Sequence, residues 1–125
     1  PVEIKATLTA AREITNDKVV AIVQPHRYTR LKLLFEDFTS AFNDADTVFI
    51  TKIYSAGELN SFDLTNNSLI NALISAGHKD VRAFSDIELK RLIENKLNFG
   101  DIVVFLGAGD ISSMARKFVE KKLII

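Results

Sequence analysis

Val20-Ala21-Ile22-Val23-Gln24-Pro25-His26-Arg27-Tyr28-Thr29-Arg30 passes from an unbroken apolar run into a loop with one imidazole and two guanidinium groups. Residues 18–24 are apolar on both faces, as an interior strand of a parallel sheet covered by helices on each side must be. Pro25 has no N–H to give and ends the ladder. The stretch therefore predicts a buried strand that delivers a cationic cluster to the mouth of a sheet, a place suited to an anion.

Upstream, residues 2–15 read as a helix, with Ile4, Leu8 and Ala11 on one face. Asn16-Asp17 turns the chain. Downstream, Leu31, Leu34, Phe35, Phe38 and Phe42 form the clearest amphipathic stripe and predict a helix over 31–43. A strand follows at 47–51, and a loop of Ile53-Tyr54-Ser55-Ala56-Gly57-Glu58 leaves its carboxyl end. A helix over 66–76 is expected to bury Leu69, Ile70, Leu73 and Ile74, with Asn66-Asn67 near its cap and Gly77 closing it. A short strand at 81–84 precedes a helix over 86–97 that places Leu89, Leu92, Ile93 and Leu97 inside. Residues 102–106 form another strand apolar on both faces. Gly107-Ala108-Gly109-Asp110 leads into a last helix over 111–121, and Leu123-Ile124-Ile125 adds a short edge strand or frays.

This alternation predicts an α/β fold: a three-layer, α/β/α Rossmann-like domain with a mostly parallel sheet of four to five strands. Right-handed crossovers put the strand-to-helix loops at one sheet edge. Ligands bind there, outside the carboxyl ends of the strands. The loops 24–30, 54–58 and 107–110 all lie on that edge.

The 125 residues make one domain, 1–125, and no linker or repeat divides it. Sixteen basic and sixteen acidic residues cancel, so no global field draws in nucleic acid or an anionic membrane. Without cysteine there are no disulfides or thiolate metal sites, which fits a cytoplasmic protein. No apolar run is long enough to span a membrane. The chain begins Pro1-Val2-Glu3 without methionine, and the expectation is a piece of a longer protein.

His26, Arg27 and Arg30 are the leading candidates for substrate binding. An arginine fork matches a carboxylate or phosphate with two parallel hydrogen bonds. The competing reading is a solvated first helical turn beside a satisfied loop histidine; the helix dipole disfavours arginine there, which tips the balance toward function. Gly107-Ala108-Gly109-Asp110 is half of a dinucleotide fingerprint, but Ser112 stands where its third glycine would be. It reads either as a tight turn capped by Asp110 or as one wall of a pocket. Tyr54 and Glu58 are possible lining residues of the same cleft, or plain loop residues. His78 falls at the opposite edge and reads as a surface residue. No Walker-type phosphate loop, metal-ligand cluster or nucleophile elbow is present, and no catalytic residue is assigned.

Taken in order, Gln24-Pro25-His26-Arg27-Tyr28-Thr29-Arg30, Phe35-Glu36-Asp37-Phe38, Asn43-Asp44-Ala45-Asp46, Ile53-Tyr54-Ser55-Ala56-Gly57-Glu58 and Gly107-Ala108-Gly109-Asp110-Ile111 resemble the C-terminal domain of the Mur ligase family, in its branch of UDP-N-acetylmuramate–L-alanine ligases. The resemblance spans essentially the whole chain. It implies a three-domain, ATP- and Mg-dependent enzyme of peptidoglycan synthesis whose UDP-sugar and central ATPase domains are absent here. The implied mechanism has ATP activate the muramyl carboxylate as an acyl phosphate, which the amine of L-alanine attacks. Arg27 and Arg30, with His26 beside them, would hold the alanine carboxylate. Gly107–Ile111 would form another wall, with Tyr54 and Glu58 placed by loop position only. The partners implied are L-alanine, UDP-N-acetylmuramate, ATP and the missing central domain. The fragment alone is expected to be inactive, with neither ATP nor Mg bound. Two alternatives stay open: the equivalent domain of the murein-tripeptide-recycling ligase, and a non-catalytic α/β ligand-binding module.

Overall fold

The computed structural model describes residues 2–94, 100–107 and 111–123. Ten elements follow one another along them: α1 (Val2–Ile14), β1 (Val19–Gln24), α2 (Tyr28–Leu33), α3 (Phe35–Thr39), β2 (Thr47–Ile50), α4 (Asn66–Ser75), β3 (Val81–Ala83), α5 (Asp86–Glu94), β4 (Ile102–Gly107) and α6 (Ile111–Leu123). The four strands form one sheet in the order β3-β2-β1-β4, and every pairing is parallel. The expected α/β/α architecture is present, and the strand order is what pattern alone left open.

All six residues of β1 are buried, because its neighbours cover both edges and helices cover both faces. Its side chains alternate between two cores, as the period of a strand demands. Val19, Ala21 and Val23 join Leu8 and Ala11 of α1, Leu31, Phe38 and Leu69, Ile70 and Leu73 of α4. Val20 and Ile22 face the opposite way, onto Leu89 of α5 and Ile111 and Phe118 of α6. Burying such side chains contributes roughly 1.5–3 kcal/mol each.

Three expectations change. The helix over 31–43 starts earlier, at Tyr28, and is two short helices that meet at Leu34 (φ −109°, ψ 18°). It ends at Thr39 because hydroxyls tap its last carbonyls: Thr39 Oγ1 donates to Glu36 O at 2.6 Å and Ser40 Oγ to Asp37 O at 3.2 Å. Ile74, expected in the core, is 52% exposed, since the buried stripe of α4 runs through Leu69, Ile70 and Leu73 instead. Leu123 is the last residue of α6 rather than the start of an edge strand. Leu97 and residues 124–125 lie outside the described residues, as does the side chain of Ile93.

The cap of α4 is Thr65, whose N–H donates to Ser68 Oγ at 3.1 Å. Gly77 closes the helix as foreseen. At φ 106° it lets its own N–H reach Ile74 O at 3.0 Å and that of His78 reach Leu73 O at 3.1 Å. His78 is half-buried, and that burial lowers its imidazole pKa.

At the amino edge of the sheet, Arg12 of α1 reaches Asp46 Oδ2 at 2.5 Å and the carbonyls of Asp17 and Asp44. Asp46 also accepts the Val19 N–H at 2.8 Å. Partial burial pushes the Asp46 carboxyl upward, but the Val19 N–H and the hydrogen bond and charge of Arg12 outweigh it, with help from Lys18. The pKa ends below the ordinary 3.8. A folded-state pKa below the unfolded one adds stability that is fully present above the unfolded value and disappears as pH falls through the folded value. Asp46→Asn should therefore lower stability near neutral pH and flatten the acid limb of the profile below about pH 4. Urea unfolding of both proteins across that range checks it, and identical acid slopes would contradict it.

Candidate functional site

Pairing does not stop where Pro25 removes a donor. The Tyr54 N–H donates to Pro25 O at 2.8 Å and the Arg27 N–H to Tyr54 O at 2.7 Å, so His26 and Tyr54 form an isolated parallel bridge beyond the ends of β1 and β2. Their rings stack, with centroids 5.3 Å apart and planes at 25°. The basic loop is thus carried on an extension of the sheet.

Arg27 turns the chain from that bridge into α2. Its backbone sits at φ 63°, ψ 138°, a region a side chain rarely adopts. Such a conformation costs about 1–3 kcal/mol and persists only where the surroundings over-determine it. Here the Tyr54 carbonyl holds its N–H, and Arg27 O accepts the Leu31 N–H at 3.1 Å. Arg30 lies in the first turns of α2; both arginines are exposed and His26 is half-buried.

Two hollows flank this loop. A cleft of about 320 Å³ lies between α1 and the carboxyl ends of β1 and β4, lined in part by Glu3, Thr7, Gln24, His26, Arg30 and Gly107. A shallower hollow of about 450 Å³ is lined by His26, Arg27, Thr29, Arg30, Leu33 and Leu34. The structure brings His26 and Arg30 into both. Arg27 lines only the second.

The wall opposite the loop is built from two residues that meet across the sheet. Gln24, only 6% exposed, turns its side chain back so that Oε1 accepts the Ile111 N–H at 3.1 Å, satisfying a donor at the start of α6. Gly107, paired with Gln24 in register, sits at φ 135°. A Cβ there would lie 2.5 Å from Gln24 O, so only glycine permits the approach. Ala108, Gly109 and Asp110 lie outside the described residues.

Tyr54 and Glu58 stand behind the loop, not among the residues that line either hollow. Glu58 accepts the Thr29 hydroxyl at 2.6 Å on Oε2 and the Thr29 N–H at 3.2 Å on Oε1. Its carboxyl is held below the ordinary range chiefly by that hydroxyl. Some desolvation opposes this, while the Thr29 and Tyr28 N–H groups and the charge of Arg27 reinforce it.

Pattern reading missed Glu3 and Thr7. The signal was available: a helix that precedes a parallel strand starts at the carboxyl edge of the sheet, so the first turn of α1 had to face the same cleft. Gln24 reads from the sequence as the end of a strand and the start of the polar loop, and its capping role needs the tertiary structure. Among the described residues no group of three or more His, Asp or Glu side chains could hold a metal ion. No helix among them is long and apolar enough to cross a membrane.

Residues 1–109 match the family described as Mur ligase, glutamate ligase domain. A UDP-N-acetylmuramate–L-alanine ligase from Brucella anthropi is 51% identical over 116 residues, covering 92% of this chain and 25% of that protein. One from Chelativorans sp. is 47% identical over the same length and share of both. The crystal structure of UDP-N-acetylmuramate-alanine ligase from Thermotoga maritima superposes with a TM-score of 0.71 at 30% identity, covering 98% of this chain and 24% of the other. The chain thus spans about a quarter of the length of the relatives it matches.

Gly107→Ala should lower the unfolding free energy by about 2 kcal/mol or more, since it adds both positive-φ strain and a clash with a central strand. Urea denaturation measures it; a loss under about 0.5 kcal/mol, the size of an ordinary surface change, would contradict the close approach.

Proposed function

The chain belongs to the Mur ligase family, as its glutamate ligase domain, and from that premise we propose that it is the C-terminal domain of an ATP-dependent ligase that joins L-alanine to UDP-N-acetylmuramate. The nucleotide-sugar and ATPase machinery would reside in two further domains, and the reaction would belong to cytoplasmic assembly of the peptidoglycan precursor. The names of the relatives favour alanine as acceptor over a tripeptide.

The observation that carries the reading is the composition of the cleft. Arg30 supplies a cationic fork and His26 an imidazole on one side, and Glu3 supplies a carboxylate. A zwitterionic α-amino acid satisfies both signs, whereas an inorganic anion would satisfy only one. Arg30 suits the carboxylate because its planar fork can donate two bonds. With the carboxylate held, the nitrogen loses its extra proton to solvent, leaves Glu3 as the neutral amine and meets the acyl phosphate formed on the muramyl carboxylate. Its attack on the carbonyl forms the amide and expels phosphate. This domain contributes positioning, which turns an encounter between two solutes into reaction within one complex. The described residues offer no metal-ligand set, so no step through Mg²⁺ is assigned to this chain.

In the full-length ligase, Arg30→Ala should raise KM for alanine about ten- to a hundredfold, the worth of a charge-assisted bond or pair of bonds. The KM for UDP-N-acetylmuramate should stay unchanged. Arg27→Ala should act more weakly, because Arg27 lines only the outer hollow. Steady-state kinetics with each substrate varied decides it. Unchanged use of alanine in both variants, or a wild-type protein that accepts tripeptide and not alanine, would overturn the assignment. The 125-residue chain alone should show no ligation.

A further inference from the structure

The stretch after β2, residues 51–65, contains no helix or strand, only the single bridge at Tyr54. A loop of that length in a small domain calls for a reason. Its first half is nonetheless tightly organised. Glu58 N–H donates to Ser55 O at 3.0 Å, closing a turn whose two central residues, Ala56 and Gly57, both have positive φ (51° and 86°). That turn doubles the chain back, so the Glu58 carboxylate returns to the start of α2 while Tyr54 stays at the end of β1.

The basic loop is consequently gripped at two points. Its entrance is held by the paired Tyr54 backbone and the stacked rings of His26 and Tyr54. Its exit is held by the two bonds from Thr29 to Glu58. Arg27, with its unfavourable backbone, lies between the grips, and Arg30 follows one residue after the second. Released at its exit, this segment would be held at its entrance alone, and the start of α2, with Arg30 on it, would be less firmly aimed at the cleft. The two bonds lie at the surface, yet together they fix both the hydroxyl and the N–H of Thr29 on one ionised acceptor.

We infer that Glu58 is a positioning residue for amino-acid recognition: by binding Thr29 it locks the strained Arg27 turn and aims Arg30 into the cleft shared with Glu3 and Gly107. The inference rests on the proposed role of Arg30 in holding the substrate carboxylate. Glu58 itself touches no substrate.

The test is a double-mutant cycle in the full-length ligase with alanine, UDP-N-acetylmuramate and ATP each varied. Glu58→Ala should raise KM for alanine about tenfold, the worth of one charge-assisted bond, and leave KM for ATP unchanged. Glu58→Gln keeps an oxygen for the Thr29 hydroxyl and should recover most of the loss. In an Arg30→Ala background Glu58→Ala should change KM for alanine less than about twofold, because a residue that acts through Arg30 has nothing left to aim. Thr29→Val removes the hydroxyl from the other side and should resemble Glu58→Ala, which keeps the test available if the alanine variant folds poorly. An unchanged KM in Glu58→Ala and Thr29→Val overturns the inference, and so does an equal fold-change with and without Arg30. If Arg30→Ala itself leaves KM for alanine unchanged, the failure belongs to the site assignment.

Discussion

A strand covered on both faces can satisfy its backbone only through its neighbours, and β1 is such a strand. Unpaired N–H and C=O groups in that position would be far from water and costly. β2 on one side and β4 on the other meet them in parallel register, from Val19↔Ile102 to Gln24↔Gly107 and from Val20↔Thr47 to Val23↔Ile50. Parallel neighbours require crossovers, and crossovers bring helices to both faces. The two cores, the layer order and the common edge at which the loops emerge all follow from this one requirement.

The candidate loop is anchored to the same strand. The sheet does not end abruptly at Pro25 but passes one more pairing, His26 with Tyr54, before the chain turns at Arg27. On the other flank, Gly107 brings β4 hard against the Gln24 carbonyl, while the Gln24 side chain satisfies the start of α6. The cleft is therefore bounded by the strand that carries the basic loop, a glycine that lies against it, and the first turn of α1. Gly107 is paired with the central strand in register, and Ile4 in the first turn of α1 packs against the core that this strand joins. The proposed binding of a small, mixed-charge molecule gains from such a base, since little ordering remains to be done on binding. The strain at Arg27 fits the same picture: an unfavourable backbone kept in place at a binding loop by contacts on either side.

Much of the architecture was legible because the signals were strong and local. Strands apolar on both faces, at 18–24 and 102–106, indicate interior parallel pairing, and the structure has the first at the centre. The second is at an edge and only partly buried; apolarity cannot distinguish the two positions. The long helix over 31–43 was misread because its apolar stripe is continuous while its backbone is not. Side-chain periodicity does not register a break at Leu34 or hydroxyls competing for carbonyls at Thr39 and Ser40. At the site, the charged loop was visible as a run of residue types. Glu58, by contrast, could be placed only near the cleft, since its bonds to Thr29 span 29 positions of chain.

The class of fold, the sheet edge at which the candidate loops gather, and the basic loop His26-Arg27-Tyr28-Thr29-Arg30 are written in the residues themselves, because each depends on short-range pattern: burial periodicity, a proline that ends a ladder, and charged groups in a row. The strand order β3-β2-β1-β4, the separation of Arg27 from Arg30 at the inner cleft, and the clasp from Glu58 come from the folded chain alone. Those features are contacts between segments far apart along the chain. Which of the many possible contacts forms is set by how two helical layers close over one sheet, a choice that no local stretch of residues contains.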